Sequence, residues 1–479
     1  MNKHAAKLAA IAGALVLGAC AEITVPDYLN PPLEDLLANP SVGEVLQTAT
    51  GVMQGSRQDA DSYVRFTAIP GREGYFLDAN EARYVTRIYN GTTIQASNFT
   101  GSSYWTTPYR NIRTANILIA ALGKVEMPAA DEAAIAGFAK TIQAVDYLQL
   151  LNTREKIPVF VNTPLDSLFF PAPLVERAVA FAFISELLDQ GLVDLQKGGP
   201  AFPFAMPTGF TAFAFNTPAK FVQLNRALKA RVEVYRATLT TTPSAAGYQA
   251  ALTALNSSFI EATGTADPLG DRALLNKGAY QTYSGNSGDV PNSLSDPSGK
   301  TVADSTLRSA AQRRPNGDPD ARLVVKTETA PTVTVSGLSS NLRFTLYTSR
   351  PFFGAGGLNS PIPIIRNEEL ILLRAEARWF TGDRPGALND LNFIRVNSGG
   401  LAPLTAAPAT DAEFITVLLR ERRFSLMFEG GHRWIDNRRF GRLTTLPRES
   451  TARVISNANN FGTAVPWFPL PANEANARK

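Results

Sequence analysis

Histidine and cysteine are almost missing from this chain. The one cysteine is Cys20, and the two histidines are His4 and His432. Zinc sites draw mainly on those residue types, so zinc chemistry is disfavoured. With Cys20 consumed by lipid attachment (below), no thiol nucleophile is left. A Ser-His-Asp triad would have to use His432, which lies in an arginine-rich stretch, and no G-x-S-x-G elbow occurs. Walker loops, a G-x-G-x-x-G after a strand and EF-hand spacing are also absent. These absences argue against an enzyme, and no cofactor or metal is expected. Paired carboxylates for glycoside hydrolysis stay compatible with the sequence, because they need only meet in space. Beyond the N-terminus no apolar run reaches the roughly 18 residues of a membrane-spanning helix.

The N-terminus carries an address. Lys3 and Lys7 precede an apolar run from Leu8 to Leu17, and Leu17-Gly18-Ala19-Cys20 is a small-residue cleavage site ending in cysteine. The run is too short to span a bilayer stably. Residues 1–19 read as a signal peptide and Cys20 as a lipidation point resembling a bacterial lipobox, with acyl chains such as palmitate as the anchor. The net charge is +4, and loss of Lys3 and Lys7 leaves +2, too weak a bias to imply nucleic acid. Pro26, Asn30-Pro31-Pro32 and Asn39-Pro40 make residues 20–40 an irregular tether.

The remaining length can bury a large core. Apolar residues at helical spacing predict helices over 41–54, from Trp105 onward, and over 131–152, 173–196, 218–239 and 248–259. Helical periodicity then disappears from 264 to 360 among Gly, Ser, Asn, Asp and Pro. Val333, Val335, Leu342, Phe344 and Leu346 alternate around 337–341 and predict one hairpin. At Asn367 helical spacing returns, with one apolar stripe through Leu370 and Leu373 and a second through Ile371, Ala375 and Trp379. Two stripes require two neighbours. Ala375 and Ala387 stand twelve apart, as do the tight-packing positions of a tetratricopeptide helix pair. The expected fold is mostly α: one domain over 41–479, with a tetratricopeptide-like helix-pair solenoid scaffold (about 41–263 and 361–479) and a loop-rich, partly β insertion (about 264–360).

The most informative stretch runs from Thr410 to Gly441. Thr410 and Glu413 have capping-box spacing. Phe414, Val417, Leu418, Glu421, Phe424 and Phe428 then share one helical face, which places the Glu421 carboxylate inside an apolar stripe. Such a charge requires a cationic partner. Gly430-Gly431 are expected to stop the helix, and His432, Arg433, Asp436, Arg438 and Arg439 to fold back onto Glu421 and Glu429. Glu421, Arg422, Glu429, Arg433, Asp436 and Arg439 are thus read as a structural ion cluster. Four acids (Glu421, Glu429, Asp436 and Glu449) sit among the arginines from Arg420 to Arg453, and export removes the chain from cytoplasmic nucleic acid, so nucleic acid is not expected as a partner.

These same residues carry a family resemblance. Glu421-Arg422, Glu429-Gly430, Arg433-Trp434-x-Asp436 and Arg439-Phe440-Gly441 resemble the C-terminal signature of the SusD/RagB family of outer-membrane nutrient-binding lipoproteins. Ser425 replaces an acid usual in that family, and the Glu429-to-Asp436 spacing is one residue longer than its commonest form. Trp105, Tyr109, Ile112 and Asn116, then Lys156-Ile157-Pro158-Val159, and finally Phe468-Pro469-Leu470-Pro471 with Glu474, resemble other family motifs. The segments 56–104 and 264–360 are unmatched. The resemblance implies a protein lipid-anchored in the outer membrane and facing the cell surface. It would capture an oligosaccharide or peptide-like nutrient and pass it to a SusC-like TonB-dependent outer-membrane transporter.

Binding residues concentrate on loops held by a rigid scaffold. The two unmatched segments therefore supply the candidate ligand group: Tyr75, Tyr84, Tyr89, Tyr280, Tyr283, Asn286 and Tyr347, whose rings and hydroxyls suit sugars. Trp105, Trp379 and Trp434 fall at core positions instead. Two rival readings are an exported glycan-processing hydrolase on a helical scaffold and a tetratricopeptide-type assembly lipoprotein without a small ligand.

Overall fold

The structure, a computed structural model, describes residues 38–90, 94, 96, 103–159, 171–348, 352–447 and 464–479. Cys20 and all but the last few residues of the tether lie outside them.

Local chemistry starts each scaffold helix. Helix α1 (Val42–Gly55) opens on a full capping box. The Ser41 hydroxyl accepts from the Glu44 amide at 3.3 Å, and the Glu44 carboxylate accepts from the Ser41 amide at 2.7 Å. After α2 (Ala60–Ala68) and strand β1 (Gly74–Phe76) come α3 (Ser103–Leu122), α4 (Ala129–Thr153) and α5 (Arg177–Lys197). Helix α6 (Pro218–Arg236) has the Thr217 cap and proline in its first turn, where the missing N–H costs nothing. Helix α7 (Ala245–Asn256) follows it.

Each of these helices except α2 packs on the next, so α1 covers α3, and α3 to α7 form a continuous stack. The chain then leaves the stack through strands β2 (Gly278–Gln281) and β3 (Thr301–Ala303), helix α8 (Ala321–Lys326), and strands β4 (Thr327–Val335), β5 (Leu338–Phe344) and β6 (Ile362–Arg366). It returns with α9 (Asn367–Phe380) against α7, followed by α10 (Arg384–Asn397), α11 (Asp411–Ser425) and α12 (His432–Arg439). Both apolar stripes of α9 are covered, one by the main core and the other by α10 and α11. Ala375 and Ala387 are fully buried, which lets α9 and α10 approach closely. The scaffold is thus a mostly α stack of helix pairs carrying a small, partly β lobe.

The two segments without family motifs build that lobe together. Strand β1 pairs antiparallel with β3, and β2 with β6. The Tyr283 hydroxyl donates to the Arg57 carbonyl at 2.9 Å, and Arg57 forms an ion pair with Asp289. Residues 56–90 therefore belong with the insertion rather than with the helical stack. The hairpin β4–β5 is tighter than the alternation predicts. Ser336 and Gly337 alone form its turn, both with positive φ, as a two-residue type I′ turn requires.

The C-terminal stretch also differs from expectation. Helix α11 ends at Ser425 rather than at the glycines, and Leu426 to Gly430 form an irregular bend with Phe428 at φ +57°. Gly431, at φ +71°, caps the next helix instead, so the charges of 432–439 stand on α12. The capping box at Thr410 is half present. Its hydroxyl accepts from the Glu413 amide, but the Glu413 carboxylate turns to the Ala409 amide.

Candidate functional site

Glu421 is fully buried, and its partners come from distant parts of the chain. Arg322 of α8 donates to one oxygen at 2.8 Å and Arg395 of α10 to the other at 2.6 Å. This corrects the expected pairing with the residues after Gly431. Arg322 also holds Asp320 at 2.6 Å and donates to the Ser425 hydroxyl at 3.0 Å. Glu429 meets Arg366 at 2.6 Å and Lys326 at 3.0 Å, and Arg366 also pairs with Glu368. Burial alone would raise the Glu368 carboxyl, but Arg366 and Lys326 outweigh it and hold it at about 2. Asp320, Glu368, Glu421 and Glu429 thus face Arg322, Lys326, Arg366 and Arg395, four against four. A second closed set joins Arg422 to Asp436 at 2.6 Å, and Arg439 to Asp436 at 2.9 Å and Glu376 at 2.8 Å.

Arg433 does not belong to either set. It is buried, but among the described residues it makes no ion pair, and Glu73 and Asp304 act on it only through space. His432 is packed between the lobes with Nε2 3.9 Å from Glu369. Burial pulls it down to about 4, so it is neutral at physiological pH. These charges lock the bend, α8 and α10 onto the scaffold.

The tyrosine group does not form a binding surface. Tyr75, Tyr89, Tyr280, Tyr283 and Tyr347 are buried, and Tyr84 is half-buried. Tyr75 packs edge-on to Tyr89 at 5.0 Å and donates its hydroxyl to Asp304, while Tyr347 donates to the Phe428 carbonyl at 3.0 Å. Tyr280 donates to the Asn276 carbonyl. Tyr75, Tyr84 and Tyr89 fill one core of the lobe, and Tyr283 and Tyr347 another. Only Asn286 is exposed. Lobe segments this short on regular structure use large rings as their core, which takes those rings away from solvent.

A recess with about 90 Å³ of accessible space lies between scaffold and lobe, lined by Tyr63, Asn152, Tyr235 and His432 among others. It is sized for a few water molecules and too small for a sugar ring.

A groove of about 560 Å³ on the scaffold is larger than three other recesses of about 260, 400 and 390 Å³. The loop after α6 (Thr238, Thr240, Thr241), the end of α9 (Phe380), the start of α11 (Asp411) and the end of α12 (Arg438, Phe440) form its walls, with Trp467 and Arg177 at one end. Ring faces, hydroxyls, a carboxylate and guanidinium groups converge there, the mixture that polar organic ligands require. Sequence reasoning missed this groove. Trp467 adjoins the Phe468-Pro469 motif, and Arg438 sits inside the signature. Nothing local signals that Arg177, far away in sequence, meets both.

Among the described residues no group of three His, Cys, Asp or Glu side chains is placed to hold a metal, and no helix is long and apolar enough to cross a membrane.

Comparison with known proteins bears on the whole chain. Residues 344–478 match the SusD family. None of the curated proteins matches the sequence. Solved structures share the fold across nearly the full length. A SusD superfamily protein from Bacteroides vulgatus has a TM-score of 0.65 at 14% identity, with 91% of this chain and 96% of that chain covered. A SusD-like carbohydrate binding protein from Bacteroides fragilis gives 0.66 at 16% identity, covering 93% and 99%. A laminarin binding SusD-like protein gives 0.58 at 17% identity, covering 92% and 98%.

Proposed function

We propose that this chain, whose residues 344–478 match the SusD family, is a surface nutrient-binding lipoprotein that captures a glycan and delivers it to a partner TonB-dependent transporter. The observation that carries this reading is the family match joined to a fold shared over nine-tenths of the chain with SusD-like structures, among them carbohydrate-binding and laminarin-binding proteins. The groove walled by Phe380, Phe440, Trp467 and the threonines after α6 is where the ligand would sit. Acylation of Cys20 would hold the molecule at the membrane through the 20–40 tether, with residues 41–479 acting as one domain. The protein would bind without transforming its ligand. Isothermal titration of the purified mature chain against neutral and acidic oligosaccharides, laminarin fragments included, tests the reading. Binding without cleavage is expected. Cleavage would move the protein to the hydrolases. Failure to bind any glycan, together with co-purification in a membrane complex, would favour an assembly lipoprotein. A large TonB-dependent β-barrel co-purifying with the acylated chain is the expected partner, and Cys20→Ala should abolish acyl labelling.

A further inference from the structure

At one end of the groove the Arg177 and Arg438 guanidinium groups both lie over the Trp467 ring, with Cζ 4.3 and 3.7 Å from its centroid. Arg438 also lies 4.7 Å from the Trp434 ring, and Arg177 5.2 Å from Phe181. Their hydrogen bonds go only to carbonyls. Arg177 Nη1 donates to Leu151 at 2.7 Å and Arg154 at 3.1 Å, and Arg438 donates to Pro466 at 2.9 Å and Asn152 at 2.8 Å. Among the described residues neither forms an ion pair, and Glu155 acts on Arg177 only through space. Burial pulls Arg177 down to about 9 and Arg438 well below its usual range, and the Arg177 charge adds to the cost of Arg438. Both stay charged at neutral pH. Asp411 shares the groove, yet among the described residues no carboxylate pairs with either guanidinium, and two such desolvated cations are held at a cost that an incoming anion would relieve. Among the described residues Arg177 Nε and Nη2 and Arg438 Nε make no hydrogen bond and remain as donors for planar oxyanions. The apolar wall (Phe380, Phe440) and the Thr240 and Thr241 hydroxyls lie within the same groove, beside this charge.

We propose that Arg177 and Arg438 form an oxyanion subsite, which gives the groove a preference for saccharides bearing an acid group. This rests on the glycan-binding reading above and names the class of glycan. The ring faces of Trp467 are occupied by guanidinium groups, so the acid group, rather than sugar stacking on that ring, anchors the ligand at this end.

The test uses the mature chain with three probes: an oligogalacturonate (carboxylate), a sulfated galactan oligosaccharide and a neutral galactan oligosaccharide. At least one charged probe is expected to bind ten-fold or more tighter than the neutral one, with affinity falling as salt rises. The charged probe's identity separates carboxylate from sulfate as the source of the oxyanion. Arg177→Gln should weaken binding of the charged probe ten-fold or more and abolish that preference. A measurement on the unmutated protein guards against a folding defect. Phenylglyoxal modification of Arg177, mapped by peptide mass, should be slowed by the charged probe and not by the neutral one. Equal binding of charged and neutral probes, a preference that survives Arg177→Gln, or no protection of Arg177 overturns the subsite. If only the neutral glycan binds, the subsite fails while the glycan-binding reading stands. Binding of no glycan at all sinks both.

Discussion

Around Glu421 four buried cations meet four carboxylates, whereas around Trp467 two guanidinium groups meet, among the described residues, only carbonyls and rings. The two regions draw on one C-terminal stretch and one residue type, and both are largely withdrawn from water. The first is closed: every charge is spent on another, and the product is a fixed bend between α11 and α12. The second is open, with donors left over and a groove in front of them. Arginine density by itself therefore says nothing about role. What separates structure from site is whether the acids that balance the charge are already present.

The comparison breaks most sharply at the closed end. Glu421→Ala leaves Arg322 and Arg395 buried without their shared partner, which should cost roughly 3–5 kcal/mol. A fall in melting temperature of many degrees is expected, and an unchanged one would end the structural role of the knot. Gly431→Ala should cost less, about 1–3 kcal/mol for the left-handed backbone alone. The added Cβ would also lie 2.4 Å from the Thr67 hydroxyl oxygen, so a loss below that range in denaturant unfolding would mean that α2 gives way there.

Much of the scaffold was legible because helices announce themselves locally. Ser41, Thr217 and Asp383 cap their helices with their own side chains, and the double stripe of α9 correctly demanded two neighbours. The burial of Glu421 was legible for the same reason. Its partners were not, because Arg322 and Arg395 lie 99 and 26 residues away and only the folded chain brings them near. The tyrosines misled because composition shows that rings sit in loop-rich segments but not which way they face. The strand pairing β1–β3 and the Tyr75–Tyr89 contact turn them inward. The groove is invisible for the matching reason: Arg177, Thr240, Phe380, Phe440 and Trp467 come from five separate stretches.

Glu73 is the mirror image of the open corner, an acid without an ion-pair partner among the described residues. It is buried, and burial pushes it up to about 8 despite the Arg433 charge and the Phe428 amide nearby. Its folded value exceeds the unfolded 4.5, so the folded state holds more protons between those two values and stability falls as pH rises through them. His432 has the opposite sign, since its value of about 4 lies below the unfolded 6.5 and its contribution is lost as pH falls between the two. The two slopes oppose each other below pH 6.5, and from there to about 8 Glu73 acts without His432 against it. In that window the Glu73 contribution should drop by at most about 1.4 kcal/mol per pH unit. Thermal melts of Glu73→Gln should lose this slope, and an identical slope in the variant would place the proton elsewhere.

The smallest stability effect belongs to the open corner. Arg177→Gln removes two hydrogen bonds to carbonyls, worth about 1 kcal/mol each, and contacts with two rings, Trp467 and Phe181, worth about 0.5–2 kcal/mol each. It also removes a desolvated cation that raises the cost of Arg438, and that relief acts in the opposite direction. The net change should stay within about 1 kcal/mol, in contrast to Glu421→Ala. Equal losses in the two variants, measured side by side in denaturant, would mean that the corner is as structural as the knot. A near-neutral Arg177→Gln would leave its guanidinium without a purpose in folding, and a residue kept charged and half-desolvated at no gain in stability is most simply explained by what it binds.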